Sequence, residues 1–599
     1  MDQITLDFET YYDKDCSLRK LTTCEYVKHP KFKVWGVGIK VNKEPTQWYG
    51  EKNVNKAIQK IDWTKSSLIA HNTKFDGYIL RQIYGCTPAY YYDTMAMSRA
   101  RFPDESASLA SLSERLFPED SSLRKGEELV NAKGIETLDA ELDQTIGEYC
   151  IQDVELTRLA WDELVLNFPV AERDLINITC RMFIEPTLQV DIDALTEYRD
   201  DQIAHAEELI KESGIERSVL ASNQQFTELL EDLNITVPTK RSPSTGKTIP
   251  ALGINDPGYQ QMVASYPDYA KVFRARKAVK SRIAETRATR FLNATHLDRT
   301  ISVPLSYYAA HTGRFGGNDK LNMQNMPRDS VLRKSLLAPE GHYVYVADLS
   351  NIEARMLAWV SGQTDLLMQF AQGEDIYSNF ASKIYNQEIN KKDHPKERFV
   401  GKTAILGLGY GMGADKFEMT LKANKISLES GQAKDIVMTY RNTYAQIRDY
   451  WRLCEQALHS SLNTASIGNR FGPLFIGPQS LYLPNQLALQ YKDLIFTPQQ
   501  GFQYKRGKRT VYAYGGSITE NIVQALARII ITDAMLRIEK KYPDYRIVLT
   551  VHDEIIIVAD DNNPEEKMDN IIKEMCIAPD WCPDIPLEAE GGYAENYSK

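Results

Sequence analysis

No stretch of this sequence is long and apolar enough to read as a membrane span, and its start, Met1-Asp2-Gln3, has no basic segment followed by an apolar one. A membrane protein and an exported one are set aside, and the expected location is the cytoplasm. The eight cysteines never stand at C-x-x-C spacing, so they read as reduced thiols and exclude a zinc site or a disulfide frame. Repeats and low-complexity tracts are absent, and 43% hydrophobic with 25% charged residues is ordinary globular composition. At 599 residues the chain is long enough for several domains with ample core. Positive charge is scarce as well, the net charge being −10. Its distribution matters more than its sum. Lys271, Arg274, Arg276, Lys277, Lys280, Arg282, Arg287 and Arg290 crowd one stretch with Glu285 as its only acid. Such a stretch is either a track for a nucleic-acid backbone or a solvated helix face. Acids abound over 104–163 and 560–590, which suits outer surfaces.

Two carboxylate clusters stand where packing does not call for them. Asp348 ends the apolar run Tyr343-Val344-Tyr345-Val346-Ala347, and Asp553-Glu554 interrupts a run from Ile547 to Val558. A carboxylate among strand-forming residues is costly unless it lies at a turn or binds a cation, so the pair suggests one shared metal centre, and hard oxygen ligands favour magnesium. The plainer readings are a hairpin tip at Asp553-Glu554 and a helix-starting capping box with Ser350 as cap and Glu353 reaching back.

A third segment lies between them, Arg398 to Gly411. On a helix turning about 100° per residue, Arg398, Lys402, Leu406 and Tyr410 drift only about 40° per step and form one stripe, along which a triphosphate could lie. A solvated basic face is the alternative. Gly409-Tyr410-Gly411-Met412-Gly413-Ala414 matches the dinucleotide-binding G-x-G-x-x-A pattern, but it ends a helical run instead of following a strand.

Near the N-terminus, Ile4-Thr5-Leu6-Asp7-Phe8-Glu9-Thr10 alternates so that Asp7 and Glu9 share one face of a strand. By itself this fits an ordinary half-exposed strand. Asn72-Thr73-Lys74-Phe75-Asp76 and Tyr149-Cys150-Ile151-Gln152-Asp153 follow, each with polar residues one helical turn apart.

In order and separation, Asp348-Leu349-Ser350-Asn351-Ile352-Glu353-Ala354-Arg355, the Arg398 to Tyr410 stripe and Val551-His552-Asp553-Glu554 resemble motifs A, B and C of family A DNA polymerases. Thr312-Gly313-Arg314, Leu321 to Pro327 and Thr519 to Ala525 add to the resemblance, the last in a form like bacteriophage members. Asp7, Glu9, Asp76 and Asp153 with Tyr149 resemble the DEDD class of 3′→5′ proofreading exonucleases.

The resemblance implies a multidomain α/β protein: an RNase H-like exonuclease over 1–185, then a right-hand polymerase. Its thumb is expected over 186–300 with a turn-rich loop at 241–249, palm over 301–362 and 510–599, and helical fingers over 363–509. A 5′-nuclease domain and a large thumb insertion are expected to be missing. Two magnesium ions per site, replaceable by manganese, are expected on Asp348, Asp553 and the Leu349 carbonyl, and on Asp7, Glu9, Asp76 and Asp153. One ion would acidify the primer 3′-hydroxyl and the other hold the triphosphate. Arg398 and Lys402 would neutralise phosphates, with Lys402 protonating pyrophosphate. Glu353 would be the steric gate against a 2′-hydroxyl, Tyr410 would pack at the templating position, and His552 and Glu554 would support the primer terminus. Arg314, Asn322, Gln324 and Gln524 would follow the minor groove, although ordinary loop hydrogen bonding also fits Asn322 and Gln324. Tyr149 would orient or deprotonate the attacking water.

The implied partners are primer-template DNA, deoxynucleoside triphosphates and replication accessory proteins, with no membrane. Leu406 stands where relatives usually carry Phe or Tyr, and Leu349 and Tyr377 replace a common aromatic and a common histidine. Leu483 to Leu487 lacks a usual Ser-Gly-Arg. Two other readings stand beside this one: an exonuclease whose C-terminal part only binds DNA, and an RNA-synthesising relative.

Overall fold

The computed structural model describes residues 1–598 apart from 121–122, 125–131 and 243–244. Parts of the acid-rich segment and of the 241–249 loop therefore lie outside the described residues.

The N-terminal domain is built on a five-stranded mixed sheet. Its order is Gln47–Gly50, Val34–Val41, Asp2–Thr10, Ser66–Ala70 and Tyr90–Asp93, the first three antiparallel and the last two joined in parallel. Asp7 lies opposite Gly38 and Glu9 opposite Gly36, so the acids and the two glycines share a face. The helix Ala140–Val165 packs on that face. A Cβ on Gly38 would come 2.9 Å from the Cys150 sulfur, and one on Gly36 would run into the Trp48 ring. Glycine at 38 lets the helix approach the acids, and glycine at 36 leaves room for the Trp48 ring of the neighbouring strand.

A helical region follows, with helices Ile192–Ser213, Ala270–Lys280 and Ile283–Ala294 among others. It holds a small apolar core of its own around Leu220, Phe226, Leu230 and Phe273. The 239–250 segment forms a short hairpin, Thr239–Arg241 against Thr248–Pro250. The basic stretch is two helices, not one, broken at Ser281 and Arg282. Arg276 is 1% exposed, bonded to Asn223 and the Leu220 carbonyl and seated over the Phe226 ring. It belongs to this region's interior and leaves the expected basic track.

The second large sheet has four antiparallel strands in the order Arg546–Val551, Glu554–Asp560, His342–Leu349, Ala589–Ala594. His342–Leu349 is central and buried along Val344 to Ala347 because both of its edges are paired. The helices Gly515–Lys541 and Pro564–Met575 pack against this sheet.

Between Thr364 and Ser460 the chain is helical. The expectation of a wholly helical stretch to residue 509 does not hold. Residues 470–490 form a four-stranded antiparallel sheet, and 495–513 a three-stranded one. These strands are two to six residues long, too short for alternation to declare itself in the sequence.

Candidate active sites

The two distant carboxylates meet at one end of the four-stranded sheet. Asp348 pairs in register with Glu554 on one side and Glu590 on the other. Asp553 lies in the two-residue connection between Val551 and Glu554, where His552 takes φ +56°. The hairpin of the plainer reading is formed, and its tip, His552 and Asp553, faces the cleft that Asp348 also lines. The Leu349 N–H donates to the Asp553 carbonyl at 3.0 Å, tying the ends of the two segments together. Burial and then the neighbouring charge of Asp348 push the Asp553 carboxyl above the usual carboxylate range. Repulsion of that kind between two acids is relieved by a divalent cation, and an all-oxygen donor set fits magnesium.

These residues line a cleft of about 560 Å³, together with Arg314, Arg328, Glu353, Tyr377, Lys402, Leu406, Arg528, His552 and Glu590. His552 is held below its ordinary pKa by burial and by Arg314.

Glu353 does not close a capping box. The helix Ile352–Ser361 starts from Asn351 in the left-handed conformation at φ 54° with no side-chain cap, and Glu353 forms an ion pair with Arg314. The reason is competition: Arg314 offers the carboxylate a charged donor, stronger than a backbone N–H.

The cationic helix spans Pro395–Leu408, so Arg398, Lys402 and Leu406 lie on it while Tyr410 falls in the turn beyond its end. Lys402 and Leu406 face the cleft, the latter 44% exposed. Arg398 is held by Asp375 through two hydrogen bonds of 2.6 and 3.0 Å, above the Tyr377 ring. The Tyr377 hydroxyl in turn donates to Asn351 at 2.5 Å. Gly409 to Ala414 joins two helices with no preceding strand, which removes the dinucleotide-binding reading.

Other expected residues lie outside the cleft lining. Glu554 is buried, accepting from Arg333 at 2.6 Å and from the Tyr597 hydroxyl at 3.0 Å. Burial still pushes its carboxyl up. Gln324 donates to the Thr550 carbonyl at 2.9 Å, and Asn322 accepts the Gln324 backbone N–H at 3.0 Å. Those are the loop bonds of the plainer reading. Asn322 also borders a groove lined by Lys280, Arg282, Arg287, Arg290 and Lys320. Gln524 accepts from the Thr312 hydroxyl at 3.2 Å.

The second cluster lies on the N-terminal sheet. Asp7 and Glu9 bring carboxylate oxygens within 4.8 Å of each other and of the Cys150 sulfur. The Phe8 N–H donates to Asp76 at 3.1 Å, fixing the helix Thr73–Tyr84 against this strand. Burial and then Asp7 hold the Asp76 carboxyl well above its ordinary range. Tyr149 is raised by burial and then by Asp153, Glu9 and Asp7, so the phenol stands in the field of three acids. The donor set of Asp7, Glu9, Asp76 and Asp153 fits divalent cations.

Sequence reasoning missed Asp375, Arg333, Tyr597, Arg328, Glu590, Arg528 and Cys150 around these sites. Cys150 carried a signal, being the residue between Tyr149 and Asp153 that turns toward the sheet. The others are separated in sequence from their partners, and no spacing announces them.

Comparison with known proteins places the chain further. Residues 191–599 match the model of DNA polymerase family A, and residues 53–167 match a 3′-5′ exonuclease model. The DNA polymerase of Bacillus phage SP02 is 23% identical over 523 residues, 77% of this chain and 76% of that protein. DNA polymerase I of Helicobacter pylori is 26% identical over 59% of this chain and 35% of that protein, and DNA polymerase I of Synechocystis 24% identical over 82% and 49%. The match thus spans about three quarters of the phage protein and a third to a half of these bacterial ones. Among solved structures, the POL domain of Pol1 from M. smegmatis, in complex with DNA primer-template and dNTP, superposes with a TM-score of 0.67 at 19% identity, covering 100% of this chain and 95% of that one. No described helix is long and apolar enough to cross a membrane.

Proposed function

The chain belongs to DNA polymerase family A and carries an N-terminal 3′-5′ exonuclease domain, and from that premise we infer that it extends a primer 3′ end along a DNA template and edits its own product. The observation that carries the reading is the meeting of Asp348 and Asp553 at one end of the four-stranded sheet, in a cleft that also holds Lys402 and Glu353. Similarity to a phage polymerase supports a phage replication enzyme acting in the host cytoplasm.

Asp348, Asp553 and the Leu349 carbonyl would hold magnesium, which when bound supplies the acidified primer hydroxyl and charge neutralisation of the leaving pyrophosphate. The remaining steps fall to the chain's own residues. Lys402 faces the cleft as a mobile point charge and is placed to meet the triphosphate and give a proton to pyrophosphate. Arg398 supplies a fork for phosphate oxygens once it exchanges Asp375 for them. Glu353, anchored by Arg314, walls the sugar edge and excludes a 2′-hydroxyl by collision. Tyr410 closes the template side, and Gln524, Asn322, Gln324 and Arg314 follow the minor-groove side of the duplex.

In the exonuclease domain Asp7, Glu9, Asp76 and Asp153 would hold two divalent cations that supply the hydrolytic centre. Tyr149 orients the attacking water; its raised pKa keeps it protonated and therefore a hydrogen-bond donor. Fit alone separates similar nucleotides by only about 1–3 kcal/mol, so a second, hydrolytic selection raises accuracy.

A labelled primer-template incubated with magnesium tests both halves. Growth is expected with deoxynucleotides and shortening without them. Shortening alone under both conditions would favour an exonuclease whose C-terminal part merely binds DNA.

A further inference from the structure

The strands Ile495–Thr497, Gly501–Arg506 and Arg509–Ala513 carry a surface that neither site uses. In their antiparallel register Ile495 stands opposite Gln503 and Gln503 opposite Tyr512, while Lys505 stands opposite Thr510. Cross-strand neighbours and residues two apart share a face, so Ile495, Lys505, Thr510 and Tyr512 lie together. The opposite face is covered at Phe502, Tyr504 and Ala513. Arg506 on that side makes hydrogen bonds of 2.9 and 3.1 Å to Asp104 of the exonuclease domain. Beside it Gln490 donates to the Arg101 carbonyl at 2.8 Å and Lys492 pairs with Glu105.

The first face is exposed around Gln503, which is itself covered by its neighbours. Tyr512 is 60% exposed and Ile495 53%, with Lys505 and Thr510 also exposed. Lys505 on this face and Lys508 in the turn beside it are exposed cations, Arg506 and Arg509 belonging to the reverse side, and residues 495–513 hold no acid, the nearest before them being Asp493. The row does not stop at the sheet. Tyr514, two residues on from Tyr512 and 51% exposed, reaches the turn after the cationic helix: a Cβ on Gly411 would lie 3.2 Å from its ring. Next to it Gly516 lies against the Tyr410 carbonyl, where any side chain would collide. Tyr514 thus stands between the exposed face and Tyr410, the residue proposed above to close the template side of the cleft.

We propose that this face is a stacking platform for the single-stranded template before it enters the cleft. The proposal rests on the polymerase reading above. Exposed rings stack on bases of any sequence while nearby cations meet the phosphates, the combination by which single strands are held without sequence preference. Tyr512 stands two residues before Tyr514, which continues the extended backbone just past the strand, a spacing of about 6.6 Å. That is about the rise of two stacked nucleotides at about 3.4 Å each. The absence of acids suits a polyanion, and the exonuclease contacts on the reverse side fix the platform to the body of the protein.

The test uses the full-length protein and primer-templates that share one duplex but carry a 5′ template overhang of either one or about ten nucleotides. Binding is read by fluorescence anisotropy, and base stacking by 2-aminopurine placed in the overhang. The unaltered protein should bind the long overhang roughly 5- to 20-fold more tightly than the short one, the effect of about one stacked base. Tyr512→Ala should abolish that gain and restore 2-aminopurine fluorescence, leaving affinity for the short overhang and its extension unchanged. Lys505→Ala should lower the salt dependence of the long-overhang complex by about one phosphate contact. Equal affinity of the unaltered protein for both overhangs would overturn the proposal. So would a loss in Tyr512→Ala that is alike on both substrates, or one confined to substrates with a displaced non-template strand. If the Tyr512-dependent gain persists but neither template is extended, the platform stands and the polymerase reading falls.

Discussion

Arg528 meets Glu172 through two hydrogen bonds of 2.5 and 2.8 Å, both side chains buried, and so joins the helix Val170–Ile184 to the helix Gly515–Lys541. The Tyr307 hydroxyl and the Asn485 amide donate to the same carboxylate at 2.5 and 2.6 Å. Burial pushes the Glu172 carboxyl up, but Arg528 and these donors outweigh it and the net shift is downward. Glu172 lies just past the residues that match the exonuclease model, and Arg528 lines the cleft with Asp348 and Asp553. Glu172→Gln should cost about 3–5 kcal/mol of stability by stranding the Arg528 charge, and Glu172→Gln with Arg528→Met should cost less than Glu172→Gln alone. Denaturant unfolding of the single and double variants measures both.

Asp553→Asn should abolish primer extension and spare 3′ trimming, whereas Asp7→Ala should do the reverse. Asp7 and Asp348 lie on strands of two different sheets, so neither change reaches the other site. Gel analysis of one labelled primer reads both activities, and loss of both from either substitution would defeat the two-site arrangement.

Glu353→Ala should admit ribonucleotides, raising their incorporation relative to deoxynucleotides by about 10-fold or more. The same change releases Arg314, so kcat for deoxynucleotides should fall as well. Single-nucleotide insertion kinetics with paired ATP and dATP decide it. Unaltered sugar selectivity would remove Glu353 from the gate.

Asp375→Asn should lower KM for deoxynucleotides about 3- to 10-fold, because it frees Arg398 from a charge-assisted pair without losing the cap. Asp375 caps the helix Ile376–Tyr385, and asparagine caps as well as aspartate does. Steady-state kinetics at fixed primer-template give KM and kcat separately. A raised KM would mean that Asp375 aims Arg398 instead of occupying it.

Asp533 lies in the same long helix, where burial lifts its carboxyl to about 6. A folded pKa above the unfolded value of 3.8 gives stability that is complete below pH 3.8 and lost as pH rises through about 6. By about pH 8 the loss approaches about 3 kcal/mol. Asp533→Asn should therefore raise Tm at pH 8 and leave it unchanged near pH 4. Thermal melts at the two pH values check it.

Much of both sites was legible because strand alternation and motif order survive in the chain. Ile4 to Glu9 reads as a two-faced strand and forms one, and the acids on its polar face meet the helix bearing Tyr149. Tyr343 to Asp348 likewise reads as a buried strand ending in a carboxylate. What could not be read were choices between partners. Glu353 had a local N–H to cap and took Arg314 instead. Arg398 looked free along a stripe and is held by Asp375. Arg276 looked like one cation among eight and turns inward, because Phe226 and the Leu220 carbonyl receive it from another helix. Each outcome depends on a side chain that local periodicity does not encode. The sheets over 470–513 escaped notice for a different reason, since two- to six-residue strands carry too few alternations to outweigh the helical residues before them.

The rung between the Leu349 N–H and the Asp553 carbonyl makes the acidic edge one rigid piece, while Lys402 and Arg398 ride on a separate helix. Any displacement of that helix alone alters how far its positive charge stands from the acids and leaves the bond between their two segments untouched.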